Sequence, residues 1–193
     1  MKLLIATRNA GKLKEIRAIL DLPGVEIIGA DEVPGLPDVI EDRDTFEGNA
    51  TKKAVELAAA SGMLTLADDS GLEVDALGGE PGVYSARYAG EPSNDVANNS
   101  KLLAALEGVS GRTGRFRCAI ALATPDGRSE TVDGRCEGTI GFEARGNGGF
   151  GYDPLFTPDG YGQSFGELAP DIKHSISHRG AALAAAKAAW WDR

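Results

Sequence analysis

Two cysteines and two histidines are all that this 193-residue chain offers toward a disulfide framework or a zinc site. Cys118 and Cys136 form no CxxC pair, so neither feature is expected and the cytoplasm is the simplest compartment. No apolar run approaches the roughly 18 residues of a membrane span. The opening Met1-Lys2-Leu3-Leu4-Ile5-Ala6 is too short in apolar residues for a signal peptide and lacks a small-residue cleavage pattern. Basic residues are in deficit, since 20 Lys and Arg against 29 Asp and Glu give a formal charge of −9. That balance disfavours a DNA or RNA surface, whose affinity rests on a basic face. A small anionic ligand stays open, because a local pocket can be positive on an acidic protein. The phosphate-cradling pattern GxxxxGK[ST] is missing as well.

What is present is ordinary globular composition, 42% apolar and 25% charged, in a length that suits one domain or a two-lobed variant of it. Such a chain buries a full core without staples. Residues 3–6 are a short apolar run, the mark of a buried strand. Leu13, Ile16, Ile19 and Leu20 then recur at helical steps. A strand, a loop over residues 7–12 and a helix therefore open the protein, and residues 25–28 suit a second strand. Residues 31–44, with Pro34, Gly35 and Pro37, read as a long functional or mobile loop. Asp44 or Thr45 can cap the helix that follows, which should stop at Gly62. Residues 64–67 read as a strand that delivers Asp68-Asp69-Ser70-Gly71 at its carboxyl end. A helix is expected over 94–106, with Val96, Leu102, Leu103 and Leu106 on its apolar side. Residues 116–123 and 130–133 alternate about Pro125-Asp126-Gly127 as a hairpin. An Ala-rich helix over 177–191 closes the chain, so the class is mixed α/β in a single domain, 1–193.

Gly146-Asn147-Gly148-Gly149-Phe150-Gly151 matches GxGxxG, but Pro154 follows where a dinucleotide fingerprint would open a helix. A nicotinamide cofactor is therefore not expected, and the cluster is either a turn or a close backbone approach to a ligand beside Phe150. Thr7, Asn9 and Lys12 project from a strand-to-helix turn, where backbone amides and the helix dipole favour an anion. The same turn also reads as a capped loop with a solvated lysine. Asp68 and Asp69 offer adjacent carboxylates that diverge, so one could bind Mg²⁺ while the other polarises a nucleophile; helix-capping acids are the alternative. Ser177-His178-Arg179-Gly180 puts cations at a helix start, against the dipole, which a bound anionic or carbonyl-bearing ligand would offset.

In order along nearly the whole chain, five segments together resemble the inosine triphosphate pyrophosphatase family, the dITP/XTP pyrophosphatases. They are Ala6-Thr7-Arg8-Asn9-Ala10-Gly11-Lys12, Thr45-Phe46-Glu47-Gly48-Asn49-Ala50, Ala67-Asp68-Asp69-Ser70-Gly71-Leu72 with the glycine-rich block of residues 76–88, Gly148-Gly149-Phe150-Gly151-Tyr152-Asp153-Pro154, and Ile176-Ser177-His178-Arg179-Gly180. The resemblance implies an elongated mixed β-sheet with flanking helices and two lobes around a central nucleotide-binding cleft, commonly in a homodimer. It implies Mg²⁺-dependent hydrolysis of ITP, dITP and XTP to the monophosphate and pyrophosphate, which clears deaminated purines from the nucleotide pool. Carried onto this sequence, Thr7, Arg8, Asn9, Ala10, Gly11 and Lys12 would bind phosphates. Asp69 would accept a proton and touch metal, with Asp68 supporting it and Ser70 touching substrate. Phe150, Gly151, Tyr152 and Asp153 would frame the base, and Lys173, His178 and Arg179 would donate to it and its surroundings. The family's Glu-Glu-Thr-Gly run is altered here to Glu41-Asp42-Arg43-Asp44. Glu41 is expected to be the second metal carboxylate, with Asp42 the alternative. A non-hydrolytic nucleotide-binding regulator is the competing class, and the concentration of carboxylates beside Lys12 argues for chemistry instead. Trp190 and Trp191 are either core anchors or a dimer contact.

Overall fold

The computed structural model describes residues 1–192. Its strands are β1 (Lys2–Ile5), β2 (Glu26–Gly29), β3 (Leu64–Val74), β4 (Thr113–Ala123), β5 (Ser129–Ile140) and β6 (Phe156–Pro158). Its helices are α1 (Ala10–Ile19), α2 (Phe46–Ser61), α3 (Asp95–Ala105), α4 (Pro170–Ile176) and α5 (His178–Trp190). The six strands form one mixed sheet in the order β2-β1-β3-β4-β5-β6. β1 is parallel to both β2 and β3, whereas β6 runs antiparallel to β5. The fold class is therefore mixed α/β, as the sequence pattern indicates.

The chain divides into two compact units, each built from separate stretches of sequence. The first takes residues 1–69, 118–134 and the chain from Arg179 onward. Its core gathers Leu3, Ile5, Ile16, Leu20, Leu66, Ile120 and Leu183, with Trp190 and Trp191 packed at the margin. Trp190 also donates its indole N–H to Glu130 at 2.9 Å, which ties α5 to β5 and favours the core-anchor reading of this pair. The second takes residues 70–117 and 135–178. Phe116, Phe156 and Phe165 cluster at its centre, with Phe116 and Phe156 edge to face at 4.7 Å between centroids, among Leu72, Leu102, Leu106 and Leu155.

Local chemistry explains the helix ends. The Asn9 side chain caps α1 by accepting from the Lys12 amide, and Thr45 caps α2 by accepting from Gly48. Of the two cap candidates, Thr45 does the work. Gly62 ends α2 at φ 69°, a conformation that side-chain-bearing residues rarely adopt.

Three expectations need correction. β3 does not stop before the Asp68-Asp69-Ser70-Gly71 run but carries it through mid-strand to Val74. The two carboxylates stay in the strand because non-local partners compensate their burial, and Leu72 and Val74 continue the buried pattern beyond them. The hairpin strands are also longer than their alternation suggests, since β5 continues past Asp133 to pair Ile140 with Phe156. Val96 is 77% exposed, so it belongs to the outer side of α3 rather than its apolar side. A short helix, α4, was not anticipated; Pro170 opens it, where a missing N–H costs nothing. Ser177 then stands in an extended conformation directly before α5.

Candidate active site

In the first unit β1 ends in a turn that leads into α1. The Thr7 hydroxyl accepts from the Asn9 amide at 3.1 Å, and Asn9 Oδ1 accepts from the Lys12 amide at 3.0 Å. The amides of Ala10 and Gly11, at the first positions of α1, have no intrahelical acceptor by construction, so an anion in front of them would be favoured. Arg8 is directed elsewhere than the phosphate expectation: it spends Nη1 on Asp31, Nε on Asp38 and Nη2 on the Leu36 carbonyl.

Lys12 reaches across to β3, where its ammonium stands 2.5 Å from Asp68 Oδ1. The other oxygen, Oδ2, accepts from Arg179 Nε and from the Cys118 thiol, each at 3.0 Å. Arg179 Nη1 pairs in turn with Glu15 of α1. Asp68 and Arg179 are 0% and 1% exposed, so this is a buried chain of alternating charges, Glu15–Arg179–Asp68–Lys12. Burial opposes ionisation of Asp68, yet Arg179 and Lys12 more than offset it and hold its carboxyl well below the usual carboxylate range. Two nitrogens of Arg179, expected from the sequence to donate toward the base, are thus committed to carboxylates.

Asp69 has the opposite surroundings. Burial pushes its carboxyl up; Lys53 and Lys12 counter this only in part, while the like charges of Glu41 and Asp68 add to it. Lys53 donates to Glu41 at 2.5 Å and to the Asp68 carbonyl at 2.8 Å, and its ammonium lies 3.5 Å from Asp69 Oδ1. Asp69 Oδ2 is buried and has no hydrogen-bond partner among the described residues. Glu41 and Asp69 therefore face the same cation, whereas Asp42 turns to Lys52 at 2.8 Å. Among the described residues no three His, Cys, Asp or Glu side chains form a ready metal cage. Magnesium needs none: it takes one or two carboxylates and fills its shell with water and phosphate oxygens. An unclaimed Asp69 oxygen near Glu41 fits that requirement.

In the second unit the glycine cluster serves a buried ion pair. Lys173 of α4 pairs with Asp153 at 2.5 Å, and Asp153 Oδ2 also accepts from the Phe150 amide at 2.9 Å. The Lys173 ammonium lies 5.2 Å from the centre of the Phe150 ring. A Cβ on Gly149 would stand 2.0 Å from Asp153 Oδ2, and one on Gly146 would stand 2.1 Å from the Gly166 carbonyl. At Gly146 and Gly149 the close approach is thus to the protein itself. The Gly151 amide donates to Asp95, and the Tyr152 hydroxyl donates to the Ser85 carbonyl at 2.7 Å. His178 is 4% exposed and stacks on Phe116 at 4.7 Å. Ser70, half-buried, directly follows Asp69 in β3.

Sequence reasoning missed Glu15, Lys53 and Cys118. A signal existed for the lysine: Lys53 lies three to four positions from Asn49, Ala50 and Leu57, all on the buried face of α2. A cation on such a face requires a buried acid. Glu15 is similarly buried beside Ile16 on α1, but nothing local points to Arg179, 164 residues away.

The sequence model of the Ham1 family matches residues 3–189. A dITP/XTP pyrophosphatase of Desulforamulus reducens is 57% identical over 185 residues, covering 95% of this chain and 92% of that protein. Another, from Geobacter sulfurreducens, is 52% identical over 96% of this chain and 94% of its own length. Among solved structures, a HAM1 protein from Coxiella burnetii superposes with a TM-score of 0.91 at 38% identity over the whole of both chains. The split carboxylates of β3, the capped turn before α1 and these end-to-end similarities agree, and the chain belongs to the Ham1 family.

Proposed function

We propose that this protein hydrolyses non-canonical purine nucleoside triphosphates, dITP, XTP and ITP, to the monophosphate and pyrophosphate. One observation supports the reading most directly. Two neighbouring buried carboxylates are shifted in opposite directions, Asp68 down by Arg179 and Lys12 and Asp69 up by burial. Such a split suits one carboxylate to fixed charge and the other to proton transfer. The names of the Desulforamulus and Geobacter relatives supply the substrate class.

In this reading the Ala10 and Gly11 amides, the Thr7 hydroxyl and the Lys12 ammonium bind the phosphates. Asp68 keeps Lys12 aimed, and Arg179 keeps Asp68 ionised. Asp69 orients the attacking water and takes its proton as the bond between the α-phosphorus and the bridging oxygen breaks. Glu41 and Asp69 would hold Mg²⁺, which supplies charge neutralisation on the phosphates. Lys53 sets the spacing of those two carboxylates. For the base, Phe150 would stack on the purine and Lys173, fixed by Asp153, would donate toward its oxo group. A donor there accepts hypoxanthine or xanthine and opposes the amino group of adenine. Gly151, Tyr152 and His178 complete that frame, and Ser70 contacts the substrate. The working protein is proposed to be a cytoplasmic homodimer that does not bind nucleic acid or membrane.

The test is product analysis. Incubation with dITP or XTP and Mg²⁺ should release one pyrophosphate per monophosphate, with ATP turned over far more slowly. Release of orthophosphate and a diphosphate, or binding without turnover, would overturn the proposal.

A further inference from the structure

From residue 31 to residue 45 no side chain is buried, although the segment carries Glu41. A stretch whose only apolar anchorage is the half-buried Val33, Leu36 and Val39 belongs to the low-stability end of a structure and relies on polar contacts to stay in place. Arg17 holds Glu32 near its start and the Asn49 side chain brackets the Arg43 backbone near its end, and between them charge does the holding at two places. At one end Lys53 takes Glu41 and Lys52 takes Asp42. At the other, a single side chain makes three bonds: Arg8 Nη1 to Asp31 at 2.8 Å, Nε to Asp38 at 2.9 Å and Nη2 to the Leu36 carbonyl at 3.1 Å. Arg8 itself lies in the turn between β1 and α1, between Thr7 and Asn9.

We propose that Arg8 is a positioning residue, a strap that fixes the 31–42 segment to the 7–12 turn and thereby sets where Glu41 stands. The inference rests on the carboxylate role given to Glu41 above. Its physical basis is the planar fork of the guanidinium, which meets three acceptors at once. A lysine ammonium keeps the charge but cannot reproduce that geometry. Each exposed ion pair is weak alone, so the strap depends on the three acting together.

Two variants test it, Arg8→Lys and the double variant Asp31→Asn with Asp38→Asn. Limited digestion of the full chain with thermolysin reports opening of the segment through cleavage before Val39 or Ile40. Both variants should be cut there about tenfold faster than the parent protein, with other bonds unaffected. In the double variant, which retains Arg8, kcat should fall about fivefold with KM within about twofold, because Glu41 and not phosphate affinity is disturbed. Unchanged cleavage at residues 38–40 would overturn the strap, and so would faster cleavage spread over the whole chain. A lower kcat with no change in cleavage would also refute it. The digestion needs no substrate, so it decides the strap even if the pyrophosphatase reading fails.

Discussion

Asp68 and Asp69 are consecutive in β3, yet their surroundings shift their carboxyl pKa values in opposite directions, Asp68 down and Asp69 up. Successive side chains of a strand point to opposite faces, so two adjacent acids can meet unrelated environments. Asp68 meets Arg179, Lys12 and Cys118, whereas Asp69 meets Lys53 and keeps one oxygen unpartnered among the described residues. This division makes the pair chemically useful and underlies most of the predictions below.

Asp69→Asn should lower kcat by about a hundredfold or more, the usual loss for a general base, while nucleotide binding largely survives. The same change should stabilise the protein at neutral pH. The folded-state pKa of Asp69 is raised, so stability is lost as pH rises from the ordinary carboxylate pKa through that higher value, and the amide removes the cost. Thermal denaturation at neutral pH should show a higher Tm; a Tm below the parent's would contradict it.

The acid limb of the kcat/KM profile should lie above the ordinary carboxylate pKa, because protonated Asp69 cannot accept a proton. Burial raises that pKa and Lys53 is the strongest charge holding it down. Lys53→Met should therefore move the limb to higher pH. Rate profiles of the two proteins decide this, and a limb that stays put or moves toward acid would remove Asp69 from the base role.

Arg179→Met leaves Asp68 and Glu15 as buried charges short of a cation and should cost about 3–5 kcal/mol in urea denaturation. Asp68 has a depressed folded-state pKa. Its contribution is present above the unfolded carboxylate pKa and is lost as pH falls through the lower folded value. Removing Arg179 should shrink that acid-dependent part of stability, measured as ΔG of unfolding against pH in the acid range. An unchanged slope would mean that Lys12 alone keeps Asp68 charged.

Glu41→Gln should raise the magnesium concentration needed for half-maximal rate about tenfold, while Asp42→Gln leaves it nearly unchanged. The distinction follows from their partners: Glu41 shares Lys53 with Asp69, whereas Asp42 is exposed and held by Lys52. Titration of initial rates with magnesium separates the two, and equal shifts would place both carboxylates on the ion.

Much of this molecule was legible from local chemistry. The helix over residues 10–19 follows from its apolar stripe and its Asn9 cap, and the end of α2 follows from Gly62. The Lys12 turn, the paired aspartates and the Lys173 region were visible as chemistry-bearing segments because their residue types are unusual for such positions. The capping pattern before α2 left Asp44 and Thr45 open, since either oxygen can accept a first-turn amide, and in the fold it is Thr45 that accepts from Gly48.

By itself, the sequence determined which side chains were available for chemistry and which turns and caps would present them. Tertiary structure alone decided their partners. It brought Glu15 to Arg179 across 164 residues and Asp68 to Cys118 across 50. It kept the aspartates inside β3, paired Arg8 with the 31–38 segment, and brought Asp153 close to Gly149. The physical reason is that burial and neighbouring charge set a carboxylate's pKa, and both come from residues distant in the chain. Periodicity and motif spacing describe only what lies within a few residues.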